Sequence, residues 1–341
     1  MNRTIVSLAP IRICDLGGWA DTWFARHGCV LNIAVSPHAT CRVEVEEVPA
    51  GRERFCISVD DYGDRYEIDP WNIEFGRHPL LEACVKSVPI PHGLDVAVSL
   101  HSSVPGGSST GTSAAVAVAL IAALDRLTPG RMSPAELAKT AHEVETVHLK
   151  QQSGIQDQLC SAFGGVSFIE MDEFPHSTVT PIPLSDALRR ELDDRMKLVF
   201  LGHTHDSSSV HEMVIRGILS GTEGDLLEPL RREARCGRDA LLSGDLVAFG
   251  KSMIRNTEAQ ADLHPALVSE TARRIFEIAR RKGAAGWKVN GAGGDGGSVS
   301  ILCGDDPVRR REMMEEIAAL GGGVRELGIR IEPRGARVIE G

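Results

Sequence analysis

The stretch Pro105-Gly106-Gly107-Ser108-Ser109-Thr110-Gly111-Thr112-Ser113-Ala114-Ala115 decides how this chain is read. Small and hydroxyl-bearing residues run directly into the longest apolar segment, residues 114–124. The length and alanine content of residues 113–127 predict a buried helix rather than a strand. Small residues let a ligand approach the backbone, and the free N–H groups of a helix N-terminus favour an anion there. The Ser and Thr hydroxyls add donors and candidate Mg²⁺ ligands. No Gly-Lys-Ser/Thr closes the run, so it is not a P-loop. Read alone, such a loop serves equally well as a linker or a helix cap.

Two other glycine-rich stretches frame it. Upstream, Ala9-Pro10-Ile11-Arg12-Ile13-Cys14-Asp15-Leu16-Gly17-Gly18-Trp19-Ala20-Asp21-Thr22 reads as a strand entering a Gly-Gly turn that ends in polar groups. Downstream, Lys288-Val289-Asn290-Gly291-Ala292-Gly293-Gly294-Asp295-Gly296-Gly297-Ser298 lies between a helix and a strand. Glycine at that density implies backbone packed against another backbone or a phosphate. A fourth stretch places Glu145 on a helix, followed by Ser153-Gly154-Ile155-Gln156-Asp157-Gln158 and Gly164-Gly165.

In order and content these stretches resemble the motifs of the GHMP kinase superfamily, named for galactokinase, homoserine kinase, mevalonate kinase and phosphomevalonate kinase. The resemblance covers residues 9 to about 302. It implies an α+β fold with a ribosomal protein S5 domain 2-like N-terminal domain and a ferredoxin-like C-terminal domain. It also implies ATP and Mg²⁺ as cofactors and a sugar or sugar phosphate as the small-molecule acceptor. The phosphate loop would comprise Pro105, Gly106, Gly107, Ser108, Ser109, Gly111, Thr112 and Ser113. Asp157 would be the catalytic base with Arg12 beside it, and Ser113 and Glu145 would hold the metal. Gly18, Trp19, Asp21 and Asp157 would meet the acceptor. Lys288, Gly291, Ala292, Gly293 and Gly294 form the third motif. Ser109 and Thr110 stand where the family has Gly-Leu, Thr112 where it has Ser, and Asp295 where it has Gly. A carboxylate at that last position must point away from a phosphate or meet a metal. The Gly-Gly-Trp-Ala-Asp run and Gln156-Asp157-Gln158 are similar to the branch of L-fucokinases and D-glycero-D-manno-heptose 7-phosphate kinases. The alternatives are a fucose- or galactose-type sugar 1-kinase, or a sugar-sensing protein on the same scaffold without catalysis.

The composition of the 341-residue chain agrees with a globular protein. A formal net charge of −10 argues against general nucleic-acid binding, which rests on Lys and Arg. No apolar run reaches the roughly 20 residues that a membrane span needs, and the N-terminus lacks a signal-peptide pattern. The eight cysteines, none in a Cys-x-x-Cys pair, read as reduced thiols of a cytoplasmic enzyme. The oligomeric state stays open, with a homodimer as one option.

Strands are expected at residues 4–8, 30–35, 39–46, 55–59, 94–100, 166–169, 197–201, 298–303 and 328–332. Besides 113–127, helices are expected at 133–149, opened by the Ser133-Pro134-Ala135-Glu136 capping box, and at 207–219, 225–242, 244–258, 267–282 and 307–320. Residues 172–195 read as a connector, which places the domain division between 1–185 and 186–341. The run His203-Thr204-His205-Asp206, with His211, reads as a loop and helix start near the substrate. Residues 207–209 would cap that helix. A metal site is the weaker reading, because the run lacks flanking groups that would hold and orient the imidazoles.

Overall fold

The computed structural model describes residues 3–203, 208–220 and 225–341. Strands β1 (Arg3–Leu16) and β2 (Gly28–Glu47) form a long antiparallel ladder from Arg3↔Val45 to Leu16↔Leu31. What reads as two strands at 30–35 and 39–46 is one continuous strand. Its first part pairs with β6 (Val166–Glu173), and its second part pairs with β5 (Leu94–Ser102). β3 (Phe55–Val59) runs parallel to β5, and β4 (Asp64–Ile68) closes that edge. The ladder between β1 and β2 is irregular between Ile13 and Leu16, where Cys14 has a φ of 54°. Bulges re-aim side chains; Arg12 precedes this one and Asp15 lies within it.

The helix read from 113–127 is α2 (Thr112–Leu124), continued by a 3₁₀ turn at Asp125–Leu127. It lies across β1 and β2 and is buried around most of its circumference, which suits its lack of a polar stripe. Alongside it pack α1 (Pro79–Lys86) and α3 (Pro134–Glu143). The capping box at α3 forms as its sequence predicts: Ser133 Oγ accepts from Glu136 N at 3.3 Å, and Glu136 accepts from Ser133 N at 2.7 Å. The α-helix stops at Glu143, earlier than the residue 149 expected. Val144–His148 is a π-helical turn that carries Glu145. Next comes α4 (Gln156–Phe163), with Asp157 in its first turn.

The connector reading of 172–195 is corrected. This segment holds β7 (His176–Pro181), paired with β6, and α5 (Asp186–Arg195), capped by Ser185. β7 is a mostly exposed edge strand, and α5 buries only Leu192 and Arg195. Their prolines and charges are those of solvated elements rather than of a loop.

A second, antiparallel sheet follows in the order β11 (Val324–Leu327), β8 (Met196–Leu201), β10 (Ser298–Leu302), β9 (Gly286–Val289). Its core joins Val199, Val289 and Ile301 to α9 (Glu270–Arg281) and α10 (Pro307–Ala318). Helices α7 (Glu228–Ser243) and α8 (Leu246–Leu263) pack together and touch both sheets; α6 (Ser208–Ser220) precedes them. The chain then returns to the first sheet. The strand expected at 328–332 is only the short β12 (Arg330–Ile331) on β2, and an unexpected β13 (Arg337–Glu340) pairs with β1. The α+β class read from the sequence is the class the structure has.

Candidate active site

The phosphate-loop residues surround the N-terminus of α2. Gly111 caps it in a left-handed conformation (φ 67°), and no side chain caps the helix N–H groups. A Cβ on Gly111 would lie 3.1 Å from the Asp157 carboxyl, so glycine permits this approach. Ser108, Thr110 and Thr112 are linked through their hydroxyls at 2.7 and 3.0 Å. The third motif lies behind this loop. Ser298 Oγ donates to Ser108 O at 2.6 Å, and a Cβ on Gly297 would stand 2.4 Å from Ser109 Oγ. The glycines there serve backbone-to-backbone packing. Asp295 is exposed and pairs with His203 at 3.2 Å, so it does not face the loop. Thr204, His205 and the remainder of 204–207 lie outside the described residues.

Arg12, 4 % exposed, joins three of the sequence motifs. Nε and Nη2 donate to the two oxygens of Asp157 at 2.7 and 3.1 Å, and Nη1 donates to Ser109 O at 2.6 Å. Burial opposes its charge, but Asp157 and Asp15 more than offset this and hold the guanidinium ionised. The fork geometry fixes the direction of the Asp157 carboxylate, whose side chain stays 26 % exposed.

Asp21 is buried and accepts from Gln156 N at 3.0 Å and Gln156 Nε2 at 3.4 Å. Burial, with repulsion from Asp157, pushes its carboxyl up to about 6. Gly154 makes room for it, since a Cβ there would stand 2.1 Å from Asp21 Oδ2. Glu145 is buried as well; Ser153 Oγ and Gln158 Nε2 both donate to its Oε2. Burial, then Asp157, pushes it up to about 7 despite those bonds.

Two cavities lie at the site. The larger, about 690 Å³, is lined by Pro105, Gly106, Thr112 and Ser113 of the loop together with Tyr62 and His78. The smaller, about 160 Å³, holds Arg12, Asp157, Asp21, Trp19 and Gly291. Of the expected acceptor-binding residues, Gly18 is not on that wall; it packs against the Asp15 carboxylate. Lys288 is fully buried, donating to Gln260 at 3.0 Å and lying 3.7 Å from Asp15. Ser113 lines the larger cavity and not the smaller one, and Glu145 lines neither. Among the described residues no three His, Cys, Asp or Glu side chains gather as a ready metal cage. Mg²⁺ commonly uses one or two carboxylates with phosphate and water. Buried Glu145 and half-buried Asp157, which repel each other, are a donor set that a cation would relieve.

The sequence reading gave no role to Asp15, Gln156, Gln158 or Asn290, although Gln156 and Gln158 stand in a run it quoted. Asn290 ties the motifs together: it accepts from Cys14 N at 3.0 Å and Ser300 Oγ at 2.9 Å. A charged Asp15 inside the apolar run Ile11–Leu16 was the available signal. Tyr62 and His78, which line the larger cavity, left no local mark in the sequence.

The sequence model for the GHMP kinases N terminal domain matches residues 79–165. A bifunctional fucokinase/GDP-fucose pyrophosphorylase of Arabidopsis thaliana is 26 % identical over 338 residues, 93 % of this chain, although the chain spans only 31 % of that protein's length. The D-glycero-alpha-D-manno-heptose 7-phosphate kinase of Campylobacter jejuni is 24 % identical, covering 95 % of this chain and 96 % of that one. A mevalonate kinase of Thermococcus onnurineus is 31 % identical over 71 % of this chain and 70 % of its own. Lactococcus lactis galactokinase, solved in complex with galactose, shares the fold with a TM-score of 0.78 at 16 % identity, over 98 % of this chain and 95 % of that one. The chain therefore belongs to the GHMP kinases and is a phosphotransferase.

Proposed function

We propose that the protein transfers the γ-phosphoryl group of ATP to the 1-hydroxyl of D-glycero-D-manno-heptose 7-phosphate. The observation that carries this reading is the bidentate Arg12–Asp157 pair, which lines the smaller cavity while Arg12 Nη1 donates to Ser109 O of the loop. In this reading ATP occupies the larger cavity with its phosphates over the α2 N-terminus. The acceptor occupies the smaller one. Its hydroxyl oxygen attacks the γ-phosphorus, the bond to the bridging oxygen of ADP breaks, and the hydroxyl proton passes to Asp157. Arg12 orients the Asp157 carboxylate through its two hydrogen bonds and stabilises charge on the transferred group. Ser113 and Glu145 would hold Mg²⁺, which supplies charge neutralisation at the phosphates. Residues 1–185 would form the ATP-binding domain and 186–341 the second domain, from which Arg325 and Leu327 reach the larger cavity.

Support for the heptose phosphate comes from similarity to the Campylobacter jejuni kinase along nearly the full length of both chains. The second reading, a fucose-type 1-kinase, draws on the Arabidopsis thaliana relative. Steady-state kinetics decide between them. Heptose 7-phosphate should have a higher kcat/KM than L-fucose or D-galactose; equal or better use of a free sugar selects the second reading. Asp157→Asn should cut turnover by about 10²–10⁴ while leaving ATP affinity nearly intact. Turnover within a few-fold of the native protein would remove Asp157 from the reaction.

A further inference from the structure

Lys288 is a buried cation of the third motif that the proposed mechanism leaves without a task. It is fully buried and lines neither cavity, so it does not reach a phosphate in either. It is anchored inside the protein instead. Nζ donates to Gln260 Oε1 at 3.0 Å and to Val289 O, and Gln260 Nε2 donates to Gly291 O at 3.0 Å. The ammonium also lies 3.7 Å from Asp15 Oδ1.

Asp15 is a rival for Arg12. Its Oδ1 lies 3.8 Å from Arg12 Nη1, while the two oxygens of Asp157 hold Nε and Nη2 at 2.7 and 3.1 Å. Arg12 and Asp15 are both buried, where opposite charges attract far more strongly than in water. Two further groups engage the same Asp15 oxygen: Gly291 N donates to it at 3.0 Å, and Lys288 supplies a full positive charge. A Cβ on Gly18 would stand 2.6 Å from Asp15 Oδ2, so the carboxylate fills its seat. Within this cluster Arg12 and Lys288 balance Asp15 and Asp157. Burial pushes the adjoining Cys14 thiol up to about 12, which keeps it uncharged. Asp21, the next carboxylate, has its own donors on Gln156. Burial also lowers the Lys288 pKa, and Asp15 is the main group opposing that.

We infer that Lys288 is a positioning residue: by neutralising Asp15 it leaves the Arg12 fork on Asp157, and so sets the direction of the carboxylate that takes the acceptor's proton. The inference rests on the kinase reading of Asp157 and adds a residue to it.

The test is a double-mutant cycle of Lys288→Met, Asp15→Asn and the two together, read by steady-state kinetics and by crystal structures. Lys288→Met keeps an unbranched side chain and removes its charge, which frees Asp15 to compete for Arg12. Turnover should fall by about 10–100-fold, with the KM for ATP within about twofold of native. In its crystal structure Arg12 should hydrogen-bond Asp15 and lose a bond to Asp157. Asp15→Asn alone should leave the fork on Asp157. In the double variant the competitor is gone, so most of the lost turnover should return with the fork back in place. A lysine that only fills space gives no such recovery, because the second substitution merely adds another change to the core. Near-native turnover of Lys288→Met, a loss that Asp15→Asn does not recover, or an unmoved Arg12 fork would overturn the inference. Should Lys288→Met fail to fold, judged by its thermal melt, Lys288→Gln takes its place; it is equally uncharged and keeps a hydrogen-bonding group. An active native chain with an unmoved fork defeats the inference and leaves the kinase reading standing. A native chain that releases no ADP with heptose 7-phosphate, L-fucose or D-galactose defeats the kinase reading, and the fork in the variant structures still decides the inference.

Discussion

Glu145 shows how one buried carboxylate couples stability to the site. Its folded pKa, pushed up to about 7 first by burial and then by Asp157, lies above the ordinary glutamate value of 4.5. The folded state thus binds the proton more tightly than the unfolded state. The stability this contributes is fully present below about pH 4.5 and is lost as pH rises through about 7. Glu145→Gln mimics the protonated form. Without metal it should melt higher than the native chain at pH 8, by roughly 2–3 kcal/mol, and match it near pH 4.5. Equal melting at pH 8 in EDTA would show that the carboxylate is not held against its charge. Under the proposed metal role, Mg²⁺ should raise the melting temperature of the native chain at pH 8 but not that of Glu145→Gln. The Mg²⁺ needed for half-maximal activity should rise in the variant.

The N-terminus of α2 is the element on which the proposed chemistry turns. It is built from a left-handed glycine, an uncapped first turn and a helix with no polar face. Gly111→Ala places a side chain in the left-handed region, costing about 1–2 kcal/mol, and its Cβ would press the Asp157 carboxyl from 3.1 Å. We expect a turnover loss of roughly 10–100-fold from the displaced carboxylate, beyond what the stability change explains. Ser133→Ala is the contrasting case. It removes the α3 capping box far from either cavity, and should cost about 1 kcal/mol of stability with turnover unchanged. Thermal melts and kcat measured on both variants separate the two effects; a fully active Gly111→Ala would show that the approach of Asp157 to the loop is not needed.

At the scale of the molecule, the chain's last strands hold the first sheet together. β13 covers the edge of β1, and Glu332 exchanges backbone hydrogen bonds with Ala34 and Gly165, at 2.9 and 2.8 Å. Gly335 packs against the end of α4, where a Cβ would stand 1.9 Å from Ala162 O. Removal of residues 333–341 should destabilise the protein by more than about 2 kcal/mol and promote association through the uncovered edge of β1. Calorimetry and light scattering check this; unchanged melting and a monodisperse solution would show that β13 is dispensable.

Much of this protein was legible in its residues. The buried character of α2 follows from a run of alanine and branched side chains with no polar stripe. The capping box at Ser133 is a local contract between residues three apart. The three glycine-rich stretches declared themselves by composition. All of these are short-range properties, settled by neighbours along the chain. What the tertiary structure decided are contacts between residues more than a hundred positions apart. Nothing in the local sequence sets Arg12 beside Asp157, Asp21 against Gln156 or Asn290 on Cys14, because each depends on the ladder that brings β1 next to α4 and the second sheet. The strand at 176–181 was hidden for the opposite reason. Its edge position leaves all its residues exposed or half-exposed, so no buried apolar face marks it, and only pairing with β6 makes it a strand.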